Sequence, residues 1–342
     1  MSGASGGWLY LSALLISAVT ALLATPLICR LATHVGMLDA VDERRVHETP
    51  TPRIGGIAVY LAFAVAVFSV LGIALTKWSP FNFFHDLDDI RNLIGLLFGG
   101  TLIMAVGLWD DVMTMRARNK FIAQTVVALL AMLYGFVIPY VQNPFTHQFI
   151  YFPWYVAIPL TLLWYLGMMN AINFIDGLDG LLSGVTAISA IFLFVIALAH
   201  HHSVVALVVI ALAGAALGFL PYNFNPAKII LGDSGALFIG FVFATVSVLG
   251  EGKTTISISI LVPLLILALP IIDTAAAIIR RVRSGVRITE ADRGHFHHQL
   301  IFRYGLNVRQ AVLLIYAVCF LLGATALVLS GGVGHLTKLA GL

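Results

Sequence analysis

Asn170-Ala-Ile-Asn-Phe-Ile-Asp-Gly-Leu-Asp-Gly180 sets two carboxylates and two carboxamides between two apolar runs, 153–172 and 181–199. Each run is about twenty residues long, the length a helix needs to cross hydrocarbon. An ionised side chain there costs several kcal/mol or more unless water or a partner compensates it. The stretch therefore reads as a polar hinge between two membrane helices. The rest of the chain must supply what answers its acids.

Composition extends that reading to the whole chain. Of 342 residues, 60% are hydrophobic and only 10% are charged, against about a quarter charged in soluble domains. Mean hydropathy is +0.99. The expected fold is an all-α polytopic membrane protein in a single domain, 1–342. The first apolar run has no Lys or Arg before it, unlike a secretory signal, so it is expected to be a retained helix with its N-terminus outside. Cys29 and Cys319 lie in or beside apolar runs without a metal or disulfide pattern and are expected to pack.

Hydropathy predicts about ten spans, near 8–29, 54–76, 92–109, 121–141, 153–172, 181–199, 203–220, 234–250, 255–279 and 310–330. Threading these back and forth places fifteen of the 19 Lys and Arg on one side and four on the other. The positive-inside rule makes the first side cytoplasmic and puts both termini outside. Most acids fall on the same face, at helix ends. The outer loop 77–91 is expected at the lipid interface, Thr146–Tyr151 in a short hairpin, and Pro263 and Pro270 at a break in the ninth span.

Five polar groups on that face carry the chemistry. Asp110-Asp111 closes the third span; adjacent carboxylates repel unless a cation such as Arg116, Arg118 or Lys120 is near. Asp176 and Asp179 would share a helix face, with Asn173 a step earlier. Asp233-Ser234 opens the eighth span, where an Asp can cap a helix or, between Gly232 and Gly235, approach a phosphate or metal. The run Asp292-Arg-Gly-His-Phe-His-His298 follows an Arg-rich stretch and suits phosphate contact. Arg44-Arg-Val-His47 and Pro52-Arg-Ile-Gly-Gly56 put bases at the membrane surface, a seat for a lipid phosphate. Carboxylates without Cys ligands suit Mg²⁺ or Mn²⁺. There is no Walker loop or dinucleotide glycine fingerprint.

Arg44-Arg-Val-His47, Pro52-Arg-Ile-Gly-Gly56, Asp110-Asp111 with Arg118, Lys120 and Gln124, Asn173-Phe-Ile-Asp-Gly-Leu-Asp-Gly180, Asn223 with Gly232-Asp-Ser-Gly235, and His295-Phe-His-His298 occur in this order. The chain thereby resembles the polyprenyl-phosphate N-acetylhexosamine-1-phosphate transferases over nearly its whole length. His-Phe-His-His and Pro-Arg-Ile-Gly-Gly look like the branch that begins O-antigen, enterobacterial common antigen or teichoic acid synthesis. The peptidoglycan branch, which transfers phospho-MurNAc-pentapeptide, reads differently at both places.

The resemblance implies a Mg²⁺-dependent enzyme of the bacterial cytoplasmic membrane with its active site facing the cytoplasm. Its substrates would be a UDP-sugar, UDP-GlcNAc by default, and undecaprenyl phosphate; a homodimer would fit, and no nucleic acid is expected. It further implies Asp233 as principal metal ligand with Asp110 or Asp111 beside it, both being catalytic candidates. Asn173, Asp176, Asp179 and Asn223 would meet the nucleotide, and His295, His297, His298, Arg118 and Lys120 the sugar-phosphate. Arg44, Arg45, His47 and Arg53 would meet the lipid phosphate. An ion-coupled transporter is the rival of a different class, but it should place acids at mid-membrane and show internal repeats. A CDP-alcohol phosphotransferase would need Ala-Arg after Asp-Gly, and Asp179-Gly-Leu-Leu-Ser-Gly184 lacks it.

Overall fold

A computed structural model describes residues 7–39, 50–74, 87–142, 148–249, 268–283 and 296–331. Eleven helices are seen among them: α1 (Gly7–Val35), α2 (Gly56–Ala74), α3 (Leu87–Met113), α4 (Ala117–Leu133), α5 (Trp154–Ile175), α6 (Leu181–Ala199), α7 (Ser203–Asn223), α8 (Gly232–Leu249), α9 (Ala268–Arg283), α10 (Phe296–Phe302) and α11 (Val308–Leu329). Leu, Val, Ile and Ala dominate the long helices, and in lipid a helix satisfies its backbone polar groups within one segment. Eight of these helices are long and apolar enough to span a membrane. The shorter α4 and α9 lie near the places of the remaining two expected crossings without being among those eight.

Helix α8 forms the axis of the bundle, with nearly all its side chains buried, while much of α1 and α11 faces outward. It packs against α2, α3 and α5. Phe63 of α2 meets Phe238 edge-on at 5.3 Å, and Tyr165 of α5 lies 5.5 Å from Phe241. Such aromatic pairs contribute roughly 0.5–1.5 kcal/mol beyond their buried area. The buried Tyr165 hydroxyl shares a hydrogen bond with Thr245 at 3.0 Å. A second layer joins α1, α6 and α7, and α11 lies against α6. Cys319 is buried there and free, as a packing residue should be.

Several boundaries differ from the hydropathy reading. Helix α3 begins at Leu87, so its first turn carries Asp88 and Asp89, acids that favour a helix N-terminus. Helix α4 ends at Leu133 rather than near 141, because Gly135 takes φ +97° and Arg91 Nε donates to the Tyr134 carbonyl at 3.0 Å. The hairpin begins upstream of its expected start and ends where expected, pairing β3 (Tyr140–Gln142) with β4 (Phe149–Tyr151), after the short β1 (Leu38–Asp39) and β2 (Thr51–Pro52) pair. Pro270 sits in the first turn of α9, where its missing N–H costs nothing. Pro263 and most of the loop 77–91 lie outside the described residues.

Candidate active site

The frame of the site is a backbone clasp between 52–56 and 230–232. Ile230 N–H donates to the Pro52 carbonyl at 2.7 Å, Gly55 N–H to Ile230 at 3.0 Å, and Gly56 N–H to Leu231 at 2.7 Å. Gly232, at φ +75°, then turns the chain into α8. A Cβ on Gly56 would stand 2.1 Å from the Gly235 nitrogen, and one on Gly107 2.5 Å from the Asp233 carbonyl oxygen. The starts of α2 and α8 and the end of α3 therefore meet at backbone distance, which no larger residue permits.

Asp111 closes this junction. Its Oδ1 accepts Asp233 N–H at 2.8 Å, its Oδ2 accepts Ser234 N–H at 2.9 Å, and its side chain has no exposed surface. It therefore caps α8 from another helix, satisfying two of the N–H groups that a helix start leaves free. Arg53 Nε lies 3.4 Å from the same carboxylate.

The Asp233 side chain points the other way, into a polar cluster. Its Oδ1 accepts from Asn173 Nδ2 at 2.8 Å and lies 3.5 Å from the Arg53 guanidinium; its Oδ2 accepts from Lys120 Nζ at 2.5 Å. Lys120 Nζ also meets Asp110 Oδ2 at 2.9 Å and Asn173 Oδ1 at 3.5 Å. The other Asp110 oxygen accepts Met115 N–H at 2.6 Å, tying the turn after α3. Five side chains from α3, α4, α5, α8 and the link between β2 and α2 thus converge at one end of the bundle. Arg118, two residues after the Arg116 cap, stands exposed on α4.

Asp176 and Asp179 do not share a helix face. α5 stops at Ile175 and α6 starts at Leu181, and Gly180 at φ +77° shapes the turn between them. The two acids consequently separate in role. Asp176 lies among Asp233, Asp111, Asp179 and Arg53, and burial followed by the Asp233 charge pushes its carboxyl up to about 7. Asp179 is buried and faces the next loop, its Oδ2 accepting from Asn225 Nδ2 and Ala227 N–H, each at 3.0 Å. Asn223 holds the same loop from its other end. It donates to the Ile229 carbonyl at 3.0 Å and accepts the Ser183 hydroxyl at 2.6 Å.

Sequence reasoning assigned no role to several supports. Asn170 Nδ2 donates to the buried Gln124 Oε1 at 2.8 Å, a rung between α4 and α5 one turn from Lys120 and Asn173. The Tyr316 hydroxyl donates to the Gly180 carbonyl, fixing the turn from α11. Arg281 of α9 is buried with its guanidinium 5.9 Å from the Phe174 ring, so this one arginine of the run packs beside the site. Only the amide spacing within 170–180 hinted at the rung. Arg44, Arg45, His47 and His295 lie outside the described residues, as do the side chains of His297 and His298 at the start of α10.

A polytopic bundle whose helix ends gather carboxylates, carboxamides and fixed cations defines a membrane protein built to hold charged groups beside lipid. The comparisons with known proteins agree with that class. Residues 93–251 match the model of glycosyl transferase family 4. The chain is 35% identical over 317 residues to the probable undecaprenyl-phosphate N-acetylglucosaminyl 1-phosphate transferase of Bacillus subtilis, covering 93% of this chain and 84% of that one. It is 34% identical to the decaprenyl-phosphate N-acetylglucosaminephosphotransferase of Mycobacterium tuberculosis, with 88% and 78% covered. It is 30% identical to the phospho-N-acetylmuramoyl-pentapeptide-transferase of Bacillus thuringiensis, with 91% and 93% covered. The chain belongs to glycosyl transferase family 4, the sugar-phosphate transferases that act on polyprenyl phosphates.

Proposed function

We propose that the protein transfers GlcNAc-1-phosphate, or a related N-acetylhexosamine-1-phosphate, from a UDP-sugar to undecaprenyl phosphate. The products are undecaprenyl-pyrophosphoryl-sugar and UMP, and the reaction opens O-antigen, enterobacterial common antigen or teichoic acid synthesis. One observation carries the reading: Asp110, Asp233, Asn173, Lys120 and Arg53, from five separate segments, meet at a single end of the bundle. That end carries the excess of Lys and Arg, so it faces the cytoplasm of the bacterial inner membrane.

In the reaction an oxygen of the lipid phosphate bonds to the β-phosphorus while the bond from that phosphorus to the bridging oxygen of UMP breaks. A phosphate monoester, with its second pKa near 6, is mostly dianionic at pH 7. Catalysis then rests on position and charge neutralisation. Lys120 and Arg53 supply positive charge beside the transferring group. Asp110 orients the acceptor phosphate or takes its proton. Asn173 and Asp176 face the nucleotide, and Asp179 and Asn223 hold the 224–231 loop that shapes its place. Arg118, His295, His297 and His298 serve the sugar-phosphate, and Arg44, Arg45 and His47 the lipid phosphate.

The donor set fits a hard divalent cation. Among the described residues no three His, Cys, Asp or Glu side chains form a metal-holding group. Mg²⁺, however, needs only one or two protein carboxylates when substrate phosphate and water complete its shell. Asp110 and Asp233 already hold one cation between them, the Lys120 ammonium. Asp233 and Asp110 would hold Mg²⁺ or Mn²⁺, whose chemistry is to neutralise the pyrophosphate as UMP leaves. Asp111 is less suited, because both its oxygens are committed to α8.

The test is UMP release by purified protein with undecaprenyl phosphate, Mg²⁺ and a panel of UDP-sugars including UDP-MurNAc-pentapeptide. Turnover with UDP-GlcNAc or a close relative is expected. Turnover with the pentapeptide donor alone would move the chain to the peptidoglycan branch, and turnover with none would overturn the reading.

A further inference from the structure

The Lys120 ammonium sits where three oxygens converge. Asp233 Oδ2 lies at 2.5 Å, Asp110 Oδ2 at 2.9 Å and Asn173 Oδ1 at 3.5 Å. The oxygens come from α8, α3 and α5, and the lysine alone comes from α4. An ammonium has three N–H donors and no acceptor, so this ring of three satisfies it fully. The cluster is also largely shielded, with side-chain exposures of 16% for Lys120, 10% for Asp110 and 13% for Asp233. Two carboxylates this close repel each other unless a cation sits between them.

A divalent cation needs the same oxygens bare and at about 2.0–2.1 Å for Mg²⁺. It cannot share them with an ammonium, since two cations a few ångströms apart in a shielded site repel strongly. The four-carbon stem of lysine lets the charge leave while the backbone stays, which a guanidinium on a rigid fork does less well. We propose that Lys120 is a built-in counter-cation that occupies the divalent-cation position in the metal-free protein and is displaced when the metal enters. The displaced ammonium turns from Asp110 and Asp233 towards the donor pyrophosphate. The metal-free protein thereby folds without a bare acidic cluster, and metal binding is paired with delivery of a positive charge to the substrate.

This rests on the proposed metal-dependent transfer, and the experiment separates the two. Mn²⁺ is titrated into the purified full-length protein and into Lys120→Met in nanodiscs, with no substrate present. Bound Mn²⁺ is read by electron paramagnetic resonance, and melting temperature is followed alongside. Lys120→Met is expected to bind Mn²⁺ about tenfold more tightly than the parent, an ordinary size for coupling between competing ligands. Its metal-free form should melt below the parent and recover as Mn²⁺ is added, whereas Lys120→Arg should gain no affinity. Arg118→Met, which removes an exposed charge from the same helix, should change affinity less than about twofold, as solvent and salt screen it.

Equal or weaker Mn²⁺ binding by Lys120→Met would overturn the inference while leaving metal dependence intact. A gain of the same size in Arg118→Met would reduce the effect to general charge and overturn it too. If neither the parent nor Lys120→Met binds Mn²⁺, the metal reading itself fails.

Discussion

Asp111 holds Ser234 by the backbone: its Oδ2 accepts the Ser234 N–H at 2.9 Å while its Oδ1 takes that of Asp233 at 2.8 Å. Of the adjacent pair Asp110-Asp111, one carboxylate thus builds the site and the other faces into it. Asp111→Ala should strip two caps from α8 and cost roughly 2–3 kcal/mol, lowering both melting temperature and UMP release. Asp110→Asn should abolish most turnover with little change in melting temperature. Matched melting and turnover curves on the two variants check the division; equal melting temperatures would refute it.

Gly232 bears a second constraint on the same corner. At φ +75°, a Cβ there would stand 2.2 Å from the Arg53 carbonyl oxygen and 2.7 Å from Asp111 Oδ2. Gly232→Ala is expected to lose more than about 2 kcal/mol through strain and overlap. Thermal melting in detergent measures it, and a variant as stable as the parent would show that the clasp yields.

Asp176 predicts a pH dependence of stability. Its carboxyl is raised to about 7 by burial and the Asp233 charge, against about 3.9 in an unfolded chain. A group raised on folding favours the folded state below the unfolded value, and that contribution is lost as pH climbs through the folded one. Asp176→Asn should therefore match the parent in melting temperature below about pH 4 and exceed it increasingly up to about pH 7. Above that the gap should stay constant. A gap independent of pH would place the carboxyl in solvent.

Asp179 should act on nucleotide affinity through the 224–231 loop. Asp179→Ala removes the acceptor for Asn225 and Ala227 N–H, at a cost of about 1–3 kcal/mol. KM for the UDP-sugar is expected to rise several-fold more than kcat falls. Unchanged UMP binding, measured calorimetrically, would remove Asp179 from the nucleotide site.

Much of the fold was legible because lipid imposes a simple rule. A backbone in hydrocarbon must be helical, so length and apolarity locate helices even where periodicity is silent. The long described helices lie at or near the predicted runs, while the short α10 falls in a stretch predicted as a connection. The ends were less legible, since α4 stops at Gly135 and Arg91, a backbone conformation and a contact from another helix. The polar residues that the structure brings together, Asp110, Lys120, Asn173 and Asp233, were legible as candidates, because charge near a membrane is costly and so is kept where it serves. Their separate duties were not.

Sequence alone determined that this chain is apolar enough to cross the membrane repeatedly and belongs with the polyprenyl-phosphate sugar-phosphate transferases. Those properties depend on composition, order and motif, which survive without coordinates. The tertiary structure decided which acid does what. Asp110 and Asp111 are neighbours in sequence, yet one meets Lys120 and the other caps α8. Asp176 and Asp179, three residues apart, divide between the charged cluster and a loop. A carboxylate takes its role from the donors placed around it, and here those donors come from helices far apart in the chain.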